Sequence, residues 1–478
     1  MAASSERFSI AHVTPFPWET PHVVNDYVHH VCSELARAGH RVLILAPSRS
    51  PQQVRESRAL LRAAKDDPQG LLEDSGQSPR LLAVGEVLDV HGTGRRAGAL
   101  PIDVARTIEQ LLGSLELDFV HVHEPFAPSA ASAALRHSRS LNIGSFHSPT
   151  EHLLSTQVAR RFVETFFGRL DARIASSQAT AQLMARHFPG DYSVLLPGIE
   201  DDLRAAGRRR EGHSGEPFQL LFIEREERAA LRLLLRALRH LDCANPWQVT
   251  IVSERGESSS TPLRSNLRER VRFISPSESE QAQLFAQSDV IVCSSEGSSP
   301  APQLLLGALA AGTVAVASRL PIYEEILGEG QRGLTFEPRD AVTLAGQLAR
   351  LIDDPVLRAR LSAAAVDFAS ELTWKRTADS LQEVYRQVAA RRHSHGPTPA
   401  LRRALARRPL IDVDLHMHTD HSHDCATPVE VLLAGARDQG LGAIAVTDHN
   451  EISGALEARE KAAESGAHPA VKVIVGEE

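Results

Sequence analysis

The densest set of chemistry-bearing side chains is Asp414-Leu-His416-Met-His418-Thr-Asp420-His421-Ser-His423-Asp424-Cys425. Alternate residues of a strand point to one face, so His416 and His418 can bind the same metal. Ile411, Val413 and Leu415, on the other parity, are expected to pack inward. A second cluster, Thr447-Asp448-His449-Asn450, follows an apolar run at Ile444. An amphipathic helix near 428–439, ended by Gly440, separates the two. A third apolar run, Val471–Val475, leads to Gly476-Glu477-Glu478. This β-loop-α-β order sets both clusters at the C-terminal ends of neighbouring parallel strands, where catalytic ligands of β/α barrels collect. Imidazoles and carboxylates in this mixture suit Zn, Mn or Fe. Such a metal lowers the pKa of its bound water, and a pair of them can clamp an in-line attack on phosphorus.

The stretch resembles the polymerase and histidinol phosphatase (PHP) domain, a distorted β/α barrel that holds several metals. The resemblance implies that His416 and His418 are ligands of the first motif. Asp424, with His423 the poorer fit, is then its trailing ligand, His449 belongs to the Thr-Asp-His segment, and Glu478 is the bridging glutamate. A β/α barrel needs roughly 200 residues or more. The segment from 410 onward is too short to close one and leaves an open parallel edge. The expectation is therefore a fragment of a longer protein, binding metal weakly as it stands.

The remaining sequence has to supply the scaffold. With 478 residues, 42% apolar and 23% charged, the chain is ordinary globular material; at roughly 100–200 residues per domain it holds about three domains. No apolar run approaches the roughly 18 residues that span a bilayer. The start, MAASSERFSIAHV, lacks the basic and apolar regions of a secretion signal. A net charge of −8 argues against general nucleic-acid binding. Cys32, Cys243, Cys293 and Cys425 form no CxxC pair and read as reduced thiols of a cytoplasmic protein.

Short all-apolar runs alternate with helical periodicity. Strands are expected at 8–13, 41–46, 118–123, 142–147, 172–176 and 195–199, with helices at 22–38, near 127–137 and around 155–169. Residues 50–80 break the pattern and read as a loop or insertion. A second alternation has strands at 218–223, 248–252, 271–274, 289–293 and 313–317, with helices near 228–241, 279–286, 302–311 and 341–353. The fold class is α/β: two Rossmann-like, doubly wound domains followed by an incomplete β/α barrel segment. The expected divisions are 1–206, 207–375 with 376–392 packing back on the first domain, a basic linker at 393–409, and 410–478.

Tandem sheets of this kind bind ligands in the cleft at their carboxyl edges. Several stretches, in order, are similar to the GT-B fold of family-4 retaining glycosyltransferases. They are Leu35-Ala-Arg-Ala-Gly39-His40, His121-Val-His-Glu-Pro125, Phe146-His147-Ser148, Ala175-Ser-Ser177, Leu196-Pro-Gly198-Ile-Glu200 and Ala308-Leu-Ala-Ala-Gly312-Thr313. The resemblance implies a nucleotide-sugar donor, a glycan or lipid-linked acceptor, and peripheral membrane contact at most. It assigns His147, Arg225 and Glu296 to catalysis, and His22, Gly198, Gly312 and Thr313 to the donor. His121 and His123 read instead as hydrogen-bonded structural residues.

Three departures stand out. The first loop, Gly-rich in the family, reads Thr20-Pro21-His22-Val23-Val24. The lysine place near Ala229 or Ala230 is empty. No register gives the family's pair of glutamates eight apart: Leu304 lies eight beyond Glu296, and the alternative register pairs Ser299 with Gly307. Two functions remain open, an active transferase with unusual donor contacts or a GT-B glycan-binding module attached to a phosphoesterase.

Overall fold

The computed structural model describes residues 7–73, 78–87, 101–127, 130–147, 168–208, 217–243, 245–254, 265–275, 281–392, 411–464 and 471–478. Most of the helix expected at 155–169 and nearly all of the joints at 207–216 and 393–409 lie outside them. The chain divides into two units, Met1–Ala406 and Arg407–Glu478.

The first unit holds two parallel sheets. In the first sheet the order is β3-β2-β1-β4-β5-β6-β7, formed by β1 (Ser9–Val13), β2 (Arg41–Ser48), β3 (Arg80–Glu86), β4 (Phe119–His123), β5 (Leu141–Phe146), β6 (Ala172–Ala175) and β7 (Ser193–Val194). The order reverses between β1 and β4, which is the topological switch where such sheets open a ligand crevice. The second sheet repeats the scheme as β10-β9-β8-β11-β12-β13. Its strands are β8 (Phe218–Ile223), β9 (Trp247–Val252), β10 (Val271–Ile274), β11 (Val290–Cys293), β12 (Val314–Ser318) and β13 (Gly333–Phe336). Strands β1, β4, β5, β11 and β12 are buried throughout, as strands of a parallel sheet covered on both faces are, and they bury polar side chains such as His12, His121 and His123 along with the apolar ones.

A long helix, Trp374–Arg392, returns from the second sheet to the first. Its Ala378, Leu381, Tyr385 and Val388 join the core formed by Ile10, Val42, Phe119 and Ile143. Gly198 is fixed by this return, because a Cβ there would lie 2.3 Å from the Trp374 backbone nitrogen.

Two local expectations are corrected. Residues 51–63 form a helix, not a loop: Pro51 stands at its first position, and the Ser50 side chain caps it by accepting from the Gln53 amide. The charged surface of that helix leaves only Val54 and Ser57 buried, which hides the periodicity. Residues 195–199 are not a strand, since pairing in β7 ends at Val194.

In the second unit β14 (Asp412–Met417), β15 (Leu441–Val446) and β16 (Lys472–Val475) form a parallel sheet in the order β14-β15-β16. Helices Val429–Asp438 and Ser453–Glu464 build one core with Ile444, Val446 and Val473. Ile411, Val413 and Leu415 do not pack inward as expected; they are 57%, 47% and 60% exposed. The register shifts between Asp414 and Met417, so Met417 rather than these three packs against the core of this edge strand.

Candidate functional site

In the first unit the residues of interest follow strand ends. His22 stands at the β1–helix joint. It caps helix Val23–Arg37 by accepting from the Val24 amide at 3.2 Å, and its ring stacks on Phe16 at 3.5 Å. His147 follows β5. Its amide donates to Glu124 Oε1 at 2.9 Å, and Tyr27 packs on its ring. Glu124 itself is held at φ +48°, an uncommon left-handed backbone for a non-glycine residue beside the strand end. Burial pushes the His147 pKa down to about 3, with His22 adding to the effect, so the ring is neutral.

His147, Ser176 and Pro197 of the first lobe line a pocket with Pro302, Gln303 and Ile326 of the second. Glu325 ties the lobes together. Its carboxylate accepts from the amides of Gln178 and Ala179, both at 2.8 Å, at the N-terminus of helix Gln178–His187.

The second-lobe residues are arranged differently from the family pattern. Arg225 is exposed at the joint after β8. Glu296, after β11, pairs with Arg339 at 2.9 Å. Two carboxylates that motif matching passes over, Glu226 and Glu227, fill the loop after β11. Glu226 accepts from the Ser294 amide at 2.7 Å and from the Tyr323 hydroxyl. Glu227 accepts from the Ser295 hydroxyl at 2.8 Å, from the Ser299 amide at 3.1 Å and from the Glu296 amide. Burial raises the Glu226 pKa to about 7 despite these donors. Backbone N–H groups that would suit an anionic ligand are thus taken by the chain's own acids. The visible signal is two adjacent glutamates at a strand–helix joint.

Gly312 and Thr313 are not at this edge. They precede β12, so they sit at its amino end, opposite the loops that follow β8 and β11. Gly312 takes φ +73° after helix Pro302–Ala310, and the Thr313 hydroxyl donates to the Phe285 carbonyl at 2.7 Å. Gly198 serves the close approach of Trp374. The assignments of Gly312 and Thr313 to the donor are corrected, since there the sequence pattern marks a turn and packing, whereas Gly198, after β7, stays at the carboxyl edge.

In the second unit the strand ends bring the histidines and acids together. His416 Nε2 lies 2.7 Å from Glu478 Oε2, and His418 Nε2 lies 3.1 Å from the same oxygen. The His416 and His418 Nε2 atoms are 3.0 Å apart. On its other side His418 Nδ1 meets Asp424 Oδ1 at 3.1 Å, and Asp424 Oδ2 meets His449 Nε2 at 3.3 Å. Asp424, not His423, is therefore the acid between the two histidines. Hydrogen bonds from Ser422 and His418 hold its carboxyl below the usual range, and Asp424 in turn raises His418. Two groups of three, His416–His418–Glu478 and His418–Asp424–His449, place ligand atoms close enough to share a cation. Imidazole nitrogens converging on a carboxylate are the donor set of Zn, Mn or Fe, so the residues fit a metal.

Asp448 has another task. Fully buried, it accepts from the Thr419 amide at 2.6 Å and the Thr419 hydroxyl at 2.8 Å, pinning the 419–424 loop to the end of β15. Gly454 leaves room for this clamp, as a Cβ there would lie 2.2 Å from Asp448 Oδ2.

Comparison with known proteins agrees with this layout. Residues 24–203 match the Glycosyltransferase Family 4 model, 217–354 the Glycosyl transferases group 1 model and 414–478 the PHP domain model. A phosphatidyl-myo-inositol mannosyltransferase of Mycobacterium leprae (strain TN) is 25% identical over 386 residues, covering 80% of this chain and 97% of that protein. A glycogen synthase of Mycobacterium tuberculosis (strain ATCC 25618 / H37Rv) is 28% identical over 419 residues, covering 80% and 96%. The fold matches a glycosyltransferase from Rickettsia africae ESF-5 with a TM-score of 0.59 at 14% identity, covering 80% of this chain and 98% of that one. It also matches Anabaena HepE in complex with UDP and glucose, with a TM-score of 0.58 at 15% identity and coverage of 80% and 100%. Among the described residues no helix is long and apolar enough to cross a membrane. The chain thus joins a glycosyltransferase family 4 segment and a glycosyl transferases group 1 segment, together of GT-B fold, to a C-terminal PHP domain.

Proposed function

We propose that the first unit transfers a hexosyl group from a nucleotide-diphosphate sugar, with retention, to a glycan or lipid-linked acceptor, and that the second belongs to a metal-dependent phosphoesterase. The observation that carries the transferase reading is His147, at the carboxyl edge of β5, lining a pocket shared by both lobes. Its neutral ring can hydrogen-bond a sugar hydroxyl there. Arg225, at the equivalent edge of the second sheet, supplies positive charge for a leaving diphosphate. In the second unit His416, His418, Asp424, His449 and Glu478 would hold Zn, Mn or Fe. Such an ion supplies an activated water for attack on a phosphoester.

One observation favours the second reading, a GT-B module that binds a glycan without transferring sugar. Glu226 and Glu227 occupy the N–H groups of the loop after β11, so those donors are not open to a diphosphate. Calorimetry with UDP-, GDP- and ADP-sugars decides between them. Binding followed by transfer with retained anomeric configuration supports the transferase; no response to any donor leaves the binding module. Mn-dependent hydrolysis of p-nitrophenyl phosphate, lost in His416→Ala, tests the phosphoesterase separately.

A further inference from the structure

Behind His147 runs a chain of buried polar rings that neither function reading uses. Side-chain alternation puts His12 of β1, His121 and His123 of β4, and Ser145 of β5 on one face of the first sheet, and register pairs His12 with His121 and His123 with Ser145. That face is covered by the returning helix, which inserts Tyr385 among them. The links are continuous. His147 Nε2 meets His123 Nδ1 at 3.0 Å, and His123 Nε2 meets His12 Nδ1 at 3.0 Å. His12 Nε2 meets the Tyr385 hydroxyl at 3.2 Å, which meets His121 Nδ1 at 2.7 Å. His121 Nε2 ends the chain on the Ser145 hydroxyl at 2.7 Å. His12, His121, His123 and Tyr385 are fully buried.

We propose that His12, His123, His121 and Tyr385 form a tautomer relay that decides whether His147 presents a proton or a lone pair to the inter-lobe pocket. A neutral imidazole has one donor and one acceptor nitrogen, and each link holds one proton. A choice at any ring therefore dictates the next. If Ser145 donates, every ring carries its proton on Nδ1 and His147 offers an N–H to the pocket. If the chain runs the other way, every ring carries it on Nε2 and His147 offers a lone pair. All four rings must share one tautomer. Desolvation keeps them neutral, pushing His12 to about 3 and His121 and His123 well below the ordinary range. The ring nitrogens of His12, His121 and His123 also lie close enough to share a metal. A dication there would be buried without a carboxylate in the group, and the links above already satisfy the nitrogens. His12, His123, His121 and Tyr385 are positioning residues acting through His147. The role given to His147 rests on the proposed sugar site, whereas the relay itself does not.

The test is nitrogen-15 NMR of the full chain with labelled histidine, which distinguishes protonated from unprotonated ring nitrogen without any substrate. Single-histidine variants assign the signals. The expected result is one common tautomer at positions 12, 121, 123 and 147, unchanged by added Zn. In Tyr385→Phe the His123 and His147 signals shift, though neither ring touches Tyr385. In Tyr192→Phe, whose hydroxyl donates to Phe188, they stay in place. Mixed tautomers in the parent protein, shifts confined to His12 and His121 in Tyr385→Phe, or a Zn-induced shift of the His12, His121 and His123 ring nitrogens would each overturn the relay. Absence of sugar transfer with the common tautomer intact would defeat the transferase reading and leave the relay standing.

Discussion

Glu226 makes a pH test possible at a single residue. Its folded pKa is raised from 4.5 to about 7, so between these values the native state holds a proton that the unfolded chain has released. Stability therefore falls as pH rises through this window. Relative to Glu226→Gln, the parent protein should lose about 2.5 kcal/mol between about pH 5 and pH 8, read from urea unfolding midpoints. An equal response of both proteins would show that the carboxyl is not protonated when folded. The metal cluster gives a second test. His418 belongs to both candidate groups, so His418→Ala should weaken Zn binding at least about tenfold, measured by competition with a chromogenic chelator. His421→Ala should leave it unchanged, because His421 is engaged by Ser453 and Glu457.

The returning helix carries the prediction for elements. A methyl at position 198 would press on the Trp374 backbone, so Gly198→Ala should cost about 1–3 kcal/mol by overpacking and hasten proteolysis within 374–392. Much at this level is legible from sequence. Short, mostly apolar runs such as 8–13 and 289–293 announce buried parallel strands, and the alternating His416 and His418 announce a shared ligand face. Less readable features depend on tertiary partners. Helix 51–63 has too narrow a buried face to show a period. Gly312 and Thr313 fit the family string, yet their sheet edge follows only from which side of β12 they precede. Glu227 accepts from residues some seventy positions away, a relation that no local pattern encodes. Ile411, Val413 and Leu415 follow the strand parity correctly, but a register shift leaves them outside the core.

Across the whole molecule, composition and alternation are enough to indicate two sheets and a third segment, and the structure divides the chain at Ala406 and Arg407. The ligands proposed for the metal, His416, His418, Asp424, His449 and Glu478, all lie in the smaller unit. Binding that stabilises only the native form adds about 2.7 kcal/mol at a hundredfold excess over Kd. Zn should thus raise the melting of the 407–478 unit by about 10–20 °C and leave the larger unit's transition in place, seen by calorimetry. A shift of both transitions, or of neither, would contradict this assignment of the ligands.

The contribution of Tyr385 and Leu381 to the core around β1 and β4 also bears on synthesis. The sheet that opens the chain waits for its last wall until the ribosome has passed residue 392. At roughly 5–20 residues per second, the interval after β7 emerges is about 10–40 s. During that time the apolar flank around Phe119 and Ile143, and the imidazoles beside it, stand open to water and to chaperones. The opening lobe cannot mature as an independent early product; it is completed by the stretch that ends the second.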